Sequence, residues 1–259
     1  MPLWIGTSGW QYADWRGIVY PQDVPQTDWL SEYSRLFRTV ELNASFYRLP
    51  QRAVFVRWAT VTPADAIVAV KASRYLTHRK KLLDPGEPVA RLLERAHGLG
   101  DKLGPILVQL PASFRVDVPR LTAALDEFGP GTRLAVELRH SSWFCDPVRD
   151  ALGERNAALV LADRQERWLT PPWRTADWGY VRFHQGQAEP QPCYGGEVLV
   201  QRAQELAGRW ADHEDCFVYF NNDPRGCAVR DAAVFAAAWR ALGRTATRAP
   251  DPGDTRVVN

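Results

Sequence analysis

The chain has 259 residues, 46% hydrophobic and 24% charged, with a formal net charge of +2 and a pI near 8.4. These values suit a globular protein able to bury a large core, and the charge is too mild by itself to indicate nucleic acid or an anionic membrane as partner. No stretch nears the ~18 consecutive apolar residues of a membrane span, and residues 1–6 lack the basic-then-apolar order of a secretory leader, so no membrane partner is expected.

In chain order, short apolar runs predict strands at Leu3–Gly6, Thr39–Asn43, Ala66–Lys71, Ile106–Leu110, Leu134–Leu138, Ala158–Ala162, Gly179–Phe183 and Cys216–Phe220. Helical periodicity falls between them, at Thr27–Phe37, Gln51–Val61, Glu87–Leu103, Pro119–Phe128, Pro147–Arg155 and Gly196–Trp210, then at Asp231–Leu242. Asp117 before Val118-Pro119 reads as an N-cap with proline in the first turn. Arg164–Asp177 is short and rich in Trp and Pro, so no full helix is expected there.

Eight strand signals alternating with seven helical ones predict a single (β/α)8 TIM-like barrel over residues 1–243. An open doubly wound sheet is the alternative, but Gly6-Thr7-Ser8-Gly9-Trp10 does not supply its G-x-G-x-x-G turn. Residues 244–259, with Pro250, Pro252 and Gly253, read as a surface tail with little structure. Cys145, Cys193, Cys216 and Cys227 form no C-x-x-C pair, which predicts neither a disulfide framework nor a zinc site and favours a reducing cytoplasm. Nothing in the sequence speaks to oligomeric state.

Side chains two apart on a strand share a face. That parity turns Val40, Leu42, Val136, Leu138, Val181, Phe183, Val218 and Phe220 towards the helices. It leaves an inner ring of Glu41, Asn43, Lys71, Gln109, Glu137, Arg139, Asp163, Arg182, His184, Tyr219 and Asn221. A barrel interior is normally filled with Val, Ile and Leu, and unpaired buried charge costs several kcal/mol, so a polar ring late in the strands marks the functional end. The competing interpretation is structural: Glu137 with Arg182, or Glu41 with Lys71, as ion pairs that fix strand register.

The run Thr39-Val40-Glu41-Leu42-Asn43-Ala44-Ser45-Phe46-Tyr47-Arg48-Leu49-Pro50 resembles the signature of the YecE-like family, domain of unknown function 72. Further matches are Ile5–Trp10, Val70-Lys71-Ala72, Thr77-His78, Leu107–Pro111, Val136–Trp143, Tyr180–His184 and Val218–Asp223. The resemblance runs from about residue 3 to about residue 240 and implies a TIM barrel with no established reaction. A likeness of such proteins to endonuclease-IV-type barrels implies DNA as one ligand class. This chain departs from the pattern at two loops: Gln185 precedes the expected Gly186, and Arg230-Asp231-Ala232 stands where relatives carry an asparagine.

Three chemistries compete. Metal-assisted hydrolysis would use Glu41, Glu137, Asp163 and His184. Only five histidines are present and H-E-x-x-H is absent, so no cofactor is expected and a divalent metal is disfavoured. Metal-free acid–base chemistry, ranked first, would use Glu41, Glu137, His184 and Lys71 as catalytic groups. Arg139 and Arg182 would then clamp an anionic, phosphate- or carboxylate-bearing substrate, and Asn43, Tyr47, Gln109, Trp143, Asp163, Tyr219, Asn221 and Asn222 would complete the binding set. Binding without catalysis would place single-stranded or flipped nucleic acid against the basic run Arg74, His78, Arg79, Lys80 and Lys81. The aromatics for that role are Trp10, Trp15, Phe46, Tyr47, Trp143, Trp168 and Trp173; the alternative is that charge runs are solvated loops and tryptophans pack.

Overall fold

The computed structural model describes residues 3–258; Met1, Pro2 and Asn259, the extremes of the two expected units, lie outside the described residues. Ten strands form: β1 (Leu3–Thr7), β2 (Thr39–Leu42), β3 (Ile67–Lys71), β4 (Leu103–Gln109), β5 (Leu134–Glu137), β6 (Ala158–Leu159), β7 (Leu161–Arg164), β8 (Arg167–Trp168), β9 (Gly179–Phe183) and β10 (Cys216–Phe220). All eight expected strands are present. The sixth is split into β6 and β7 at Val160, and β8 is an antiparallel addition to β7.

The order β6-β5-β4-β3-β2-β1-β10-β9-β7-β8 makes one curled, mostly parallel sheet in an α/β fold. Its helices are α1 (Trp29–Leu36), α2 (Ala44–Tyr47), α3 (Arg52–Val61), α4 (Gly86–Ala96), α5 (Val118–Asp126), α6 (Asp146–Gly153), α7 (Gly196–Ala207) and α8 (Cys227–Ala241). Asp117 caps α5 as expected, its carboxylate accepting the Arg120 N–H at 3.0 Å. The helix expected to reach Leu103 stops at Ala96; a tighter helical stretch, His97–Lys102, follows and breaks at Gly100, where φ is +57°. α8 starts four residues before the expected Asp231, directly after Gly226 turns the chain at φ +81°.

The strands separate two cores. Val40, Leu42, Val136, Leu138, Val181, Phe183, Val218 and Phe220 pack outward against the helices. Ala69, Leu107, Ala135, Ala158, Val160, Ala162, Tyr180, Phe217 and Tyr219 fill the concave interior. Small alanines on four strands facing Tyr180, Phe217 and Tyr219 let the sheet curl tightly. The polar residues follow as the next members of the same inward rows, one layer nearer the carboxyl ends of the strands.

Beyond residue 243 the described residues carry only a bridge at Ala246 and one helical turn at Pro252–Asp254, but the segment is tied down. The Leu3 N–H donates to Thr245 O at 2.9 Å, the Thr247 N–H to Leu3 O at 2.8 Å, and Arg244 caps the end of α7 through Ala207 O at 2.8 Å. Paired backbone rather than regular structure holds this segment, which composition could not reveal.

The expectation of no disulfide is corrected: Cys193 and Cys227 are bonded, joining the loop after β9 to the start of α8. The cysteine argument for a reducing compartment therefore lapses. The same loop accounts for Gly186, since a Cβ there would strike the Cys193 carbonyl. Closing a 34-residue separation constrains the unfolded chain, so reduction is expected to cost about 4 kcal/mol. Thermal denaturation with and without a thiol reductant measures it, and an unchanged midpoint would show that the bond does not stabilise the fold.

Candidate functional site

At the centre lies a buried arginine between two buried carboxylates. Arg182, from β9, donates through Nη2 to Glu41 Oε1 at 2.8 Å and Ser8 Oγ at 3.1 Å, and through Nη1 to Glu137 Oε2 at 2.6 Å. Glu41 also accepts from the Tyr180 hydroxyl at 2.6 Å and from Ser8 Oγ. Glu137 also accepts from Gln109 Nε2 at 2.8 Å and Arg139 Nε at 3.0 Å. Burial acts to raise both carboxyl groups, but Arg182 with Lys71 holds Glu41 below the usual range. For Glu137, Arg182, His184 and Arg139 outweigh burial and hold it well below that range. Both stay ionised at neutral pH, so the expected Glu137–Arg182 ion pair exists, while Glu41 pairs with Arg182 rather than with Lys71.

Above this floor opens a cavity of about 410 Å³. Asn43, Tyr47, Lys71, Gln109, Arg139 and Asn221 from the expected catalytic and substrate-binding set line it together, with Phe46, Arg74 and His78 from the set expected for nucleic acid. Lys71 is buried, its Nζ 4.3 Å from the centre of the Phe46 ring. Burial and then Arg182 lower it to about 8, against the opposing pull of Glu41 and Glu137. Among the described residues no hydrogen-bond or ion-pair partner of its ammonium is found.

His78 sits on a π-helical turn, Tyr75–Arg79, a wide turn often found at functional sites. Thr77 Oγ1 gives its single proton to Ser73 O at 3.0 Å, so at 2.9 Å from His78 Nδ1 it must accept a proton from the ring. The lone pair is therefore on Nε2. Burial, then Lys71, Arg139 and Arg74, lower His78 to about 4, leaving the ring neutral at pH 7.

His184 differs. Asn221 Nδ2 lies 3.2 Å from its Nδ1, which places the ring proton on Nε2, 3.4 Å from Glu137 Oε1. Burial lowers its pKa despite Glu137, and both nitrogens are occupied. It lies beneath the cavity and holds Asn221 in place.

Four expected site residues are not brought there. Asp163 points outward to α7, bonding the Tyr194 hydroxyl at 2.9 Å and Arg202 Nε at 3.1 Å, because Ala158, Val160 and Ala162 set the inward parity of that strand. Trp143 is fully buried, donating to Phe114 O at 2.6 Å and packing edge-on to Phe114. Asn222 faces away from its neighbour Asn221 and bonds Asp231 at 2.6 Å and Pro192 O at 3.1 Å. Tyr219 lies one layer deeper, hydrogen-bonded to Thr39 Oγ1 at 2.7 Å. With Asp163 turned outward, the four-ligand metal set is not assembled.

The nucleic-acid set is thinned too. Trp10 and Trp15 are buried like Trp143, Trp168 packs on Arg202, Lys80 pairs with Asp84, and Lys81 bonds Ser113 O. Ser8 and Tyr180 were missed as site residues, though the rows Trp4–Gly6–Ser8 and Tyr180–Arg182–His184 contain them by parity. Asp223 and Tyr12 were also missed, because loops have no parity to read.

The fold and this mouth define an α/β protein with a cation-lined polar cavity at the carboxyl ends of its parallel strands. The chain belongs to the family described as "Protein of unknown function DUF72", which matches residues 4–255. The UPF0759 protein YecE of Escherichia coli (strain K12) is 29% identical over 167 residues, covering 62% of this chain and 59% of that protein, less than two thirds of its length. The UPF0759 protein YunF of Bacillus subtilis (strain 168) is 25% identical over 273 residues, covering 88% and 91%. The crystal structure of a DUF72 family protein from Thermotoga maritima superposes with a TM-score of 0.79 at 29% identity, covering 93% of this chain and all of that one. Among the described residues no helix is long and apolar enough to cross a membrane.

Proposed function

We propose that the mouth binds a phosphate- or carboxylate-bearing substrate and carries out metal-free acid–base chemistry on it. The observation that carries this reading is the separation of charge. The two carboxylates are bound down by Arg182 beneath the cavity, while Lys71, Arg74 and Arg139 line it. The space open to a ligand is thus cationic although the whole chain is nearly neutral.

In this reading Lys71 and His78 exchange protons with the substrate. Lys71, at about 8, is charged yet within reach of neutrality, and His78 presents an unprotonated Nε2 to the same cavity. Glu41 and Glu137 hold Arg182 and Arg139 in place, and His184 positions Asn221. Hard-metal binding is disfavoured because the carboxylate oxygens are already engaged by Arg182, Ser8, Tyr180, Gln109 and Arg139. We also infer that β6 and β7 act as one strand, closing a (β/α)8 barrel. Pairing of β6 with β5 and of β7 with β9, with the Val160 N–H on Val136 O at 2.9 Å, supports that closure.

A second reading, single-stranded nucleic acid bound without turnover, is favoured by Tyr47 (72% exposed) and Tyr75 (49% exposed) beside Arg74 and Arg79. Calorimetric titration separates the two. Saturable heat with inorganic phosphate and none with a short single-stranded oligonucleotide is the expected result. Oligonucleotide binding that weakens steeply with salt, with no phosphate heat, would favour the second reading.

A further inference from the structure

A second cavity, of about 370 Å³, adjoins the cationic one and shares Asn43, Tyr47 and Asn221 with it. Its own walls are Gly9, Trp10, Gln11, Tyr12, Ala44 and Asp223. Among the described residues no lysine or arginine lines it, so it is not an extension of the anion site.

Two buried acceptors in this lobe have no partner. Asn43 Nδ2 donates to Ser8 O at 3.0 Å and to Ser8 Oγ at 2.8 Å; a flip would set two oxygens together, so the amide orientation is fixed. Its Oδ1 is left buried and without a hydrogen-bond partner among the described residues. Asp223 Oδ1 is in the same condition, although its backbone carbonyl is held by the Trp15 indole N–H at 2.8 Å. Burial pushes the Asp223 carboxyl up to about 7, only partly offset by the Tyr12 hydroxyl.

Buried polar atoms are nearly always satisfied, by protein, water or ligand. Asn43 Oδ1 is an acceptor, and Asp223 Oδ1 is one whenever its carboxyl is ionised, so the group that meets both must bring donors. A phosphate monoester dianion or a carboxylate has none, whereas adjacent hydroxyls on a carbon chain bring two, with Tyr12 and Tyr47 offering ring surface to the carbons between them. We propose that this lobe holds the hydroxyl-bearing part of the ligand, so that the substrate class is a phosphorylated polyol or sugar: phosphate towards Lys71, Arg74 and Arg139, hydroxyls towards Asn43 and Asp223. This rests on the anion reading above for the first lobe.

Calorimetry with inorganic phosphate, ribose, ribose 5-phosphate, glucose 6-phosphate and glycerol 3-phosphate tests it on the wild-type protein. At least one phosphorylated compound is expected to bind tenfold or more tightly than inorganic phosphate. Asp223→Ala is expected to erase that advantage while leaving phosphate affinity unchanged, and Lys71→Met to weaken both in parallel. Equal affinity for phosphate and all three phosphorylated compounds overturns the hydroxyl lobe and leaves the anion reading standing, as does an advantage that survives in folded Asp223→Ala. Ribose binding with no contribution from phosphate overturns the anion reading instead, and no binding by any of the five overturns both. The wild-type comparison decides even where the Asp223 variant does not fold.

Discussion

Arg182→Met is expected to reverse the contribution of Glu41 and Glu137 to the pH dependence of stability. In the wild type, Glu41 and Glu137 have folded pKa values below the usual carboxylate range. Their contribution is fully present above the unfolded value and is lost as pH falls through the folded values. Without the guanidinium, burial, already the largest influence on each, acts with less opposition and pushes both groups above the unfolded value. Stability is then lost as pH rises through the new, higher values. Breaking a buried pair typically costs about 3–5 kcal/mol, and here one residue serves two carboxylates. Urea unfolding at about pH 5 and about pH 7.5 should find the variant's loss of stability relative to the wild type larger at the higher pH, a difference in which groups common to both, such as Asp223, cancel. Adding Glu41→Gln and Glu137→Gln to Arg182→Met should restore much of the loss at the higher pH. A single variant as stable as the wild type at the higher pH would mean that the triad contributes little to folding.

Lys71→Met is expected to weaken anion binding by about 10- to 100-fold, the equivalent of a hydrogen bond to a charged group, ~1.5–3 kcal/mol. The ammonium is pre-placed on the Phe46 ring and spends no bond on the protein, so its loss should fall on the ligand more than on the fold. The pH profile is the sharper readout. A lysine lowered to about 8 is a cation below that value and a neutral amine above it, so affinity should decline as pH rises through about 8 in the free protein. Sulfate is the probe of choice, because its own charge is constant over that range. Lys71→Arg, which keeps its charge, should bind sulfate without that decline. A flat wild-type profile, or a Lys71→Met variant that binds as tightly as the wild type, would remove Lys71 from the anion site.

Much of this was legible along the chain because strand parity is a local rule. The inner rows containing Glu41, Glu137, Arg182 and His184 needed only an alternation of period two and a late position on each strand. The same rule, started one residue out of phase at the split sixth strand, turned Asp163 to the wrong face. Asn221 and Asn222 show the rule at finer grain: adjacent and alike in type, they serve a cavity and an outer structural network respectively. Trp143 was misassigned because a loop tryptophan is as consistent with packing as with recognition, and burial depends on what else arrives at that place.

The polar ring at the strand ends was therefore determined by the sequence itself, through the alternation of each strand and the repetition of strand and helix. Only the tertiary structure decided how the ring divides its labour. Arg182 could satisfy Glu41 or Glu137 or a ligand, and the curl of the sheet brings it within 2.8 Å of both carboxylates, which leaves Lys71, Arg74 and Arg139 facing open space. The pairing of Cys193 with Cys227, the proton position on His78 and the unmet acceptors of Asn43 and Asp223 are likewise distances between segments remote in the chain or turns without periodicity. Local pattern carries the direction in which a side chain points; only the folded chain fixes what stands opposite it.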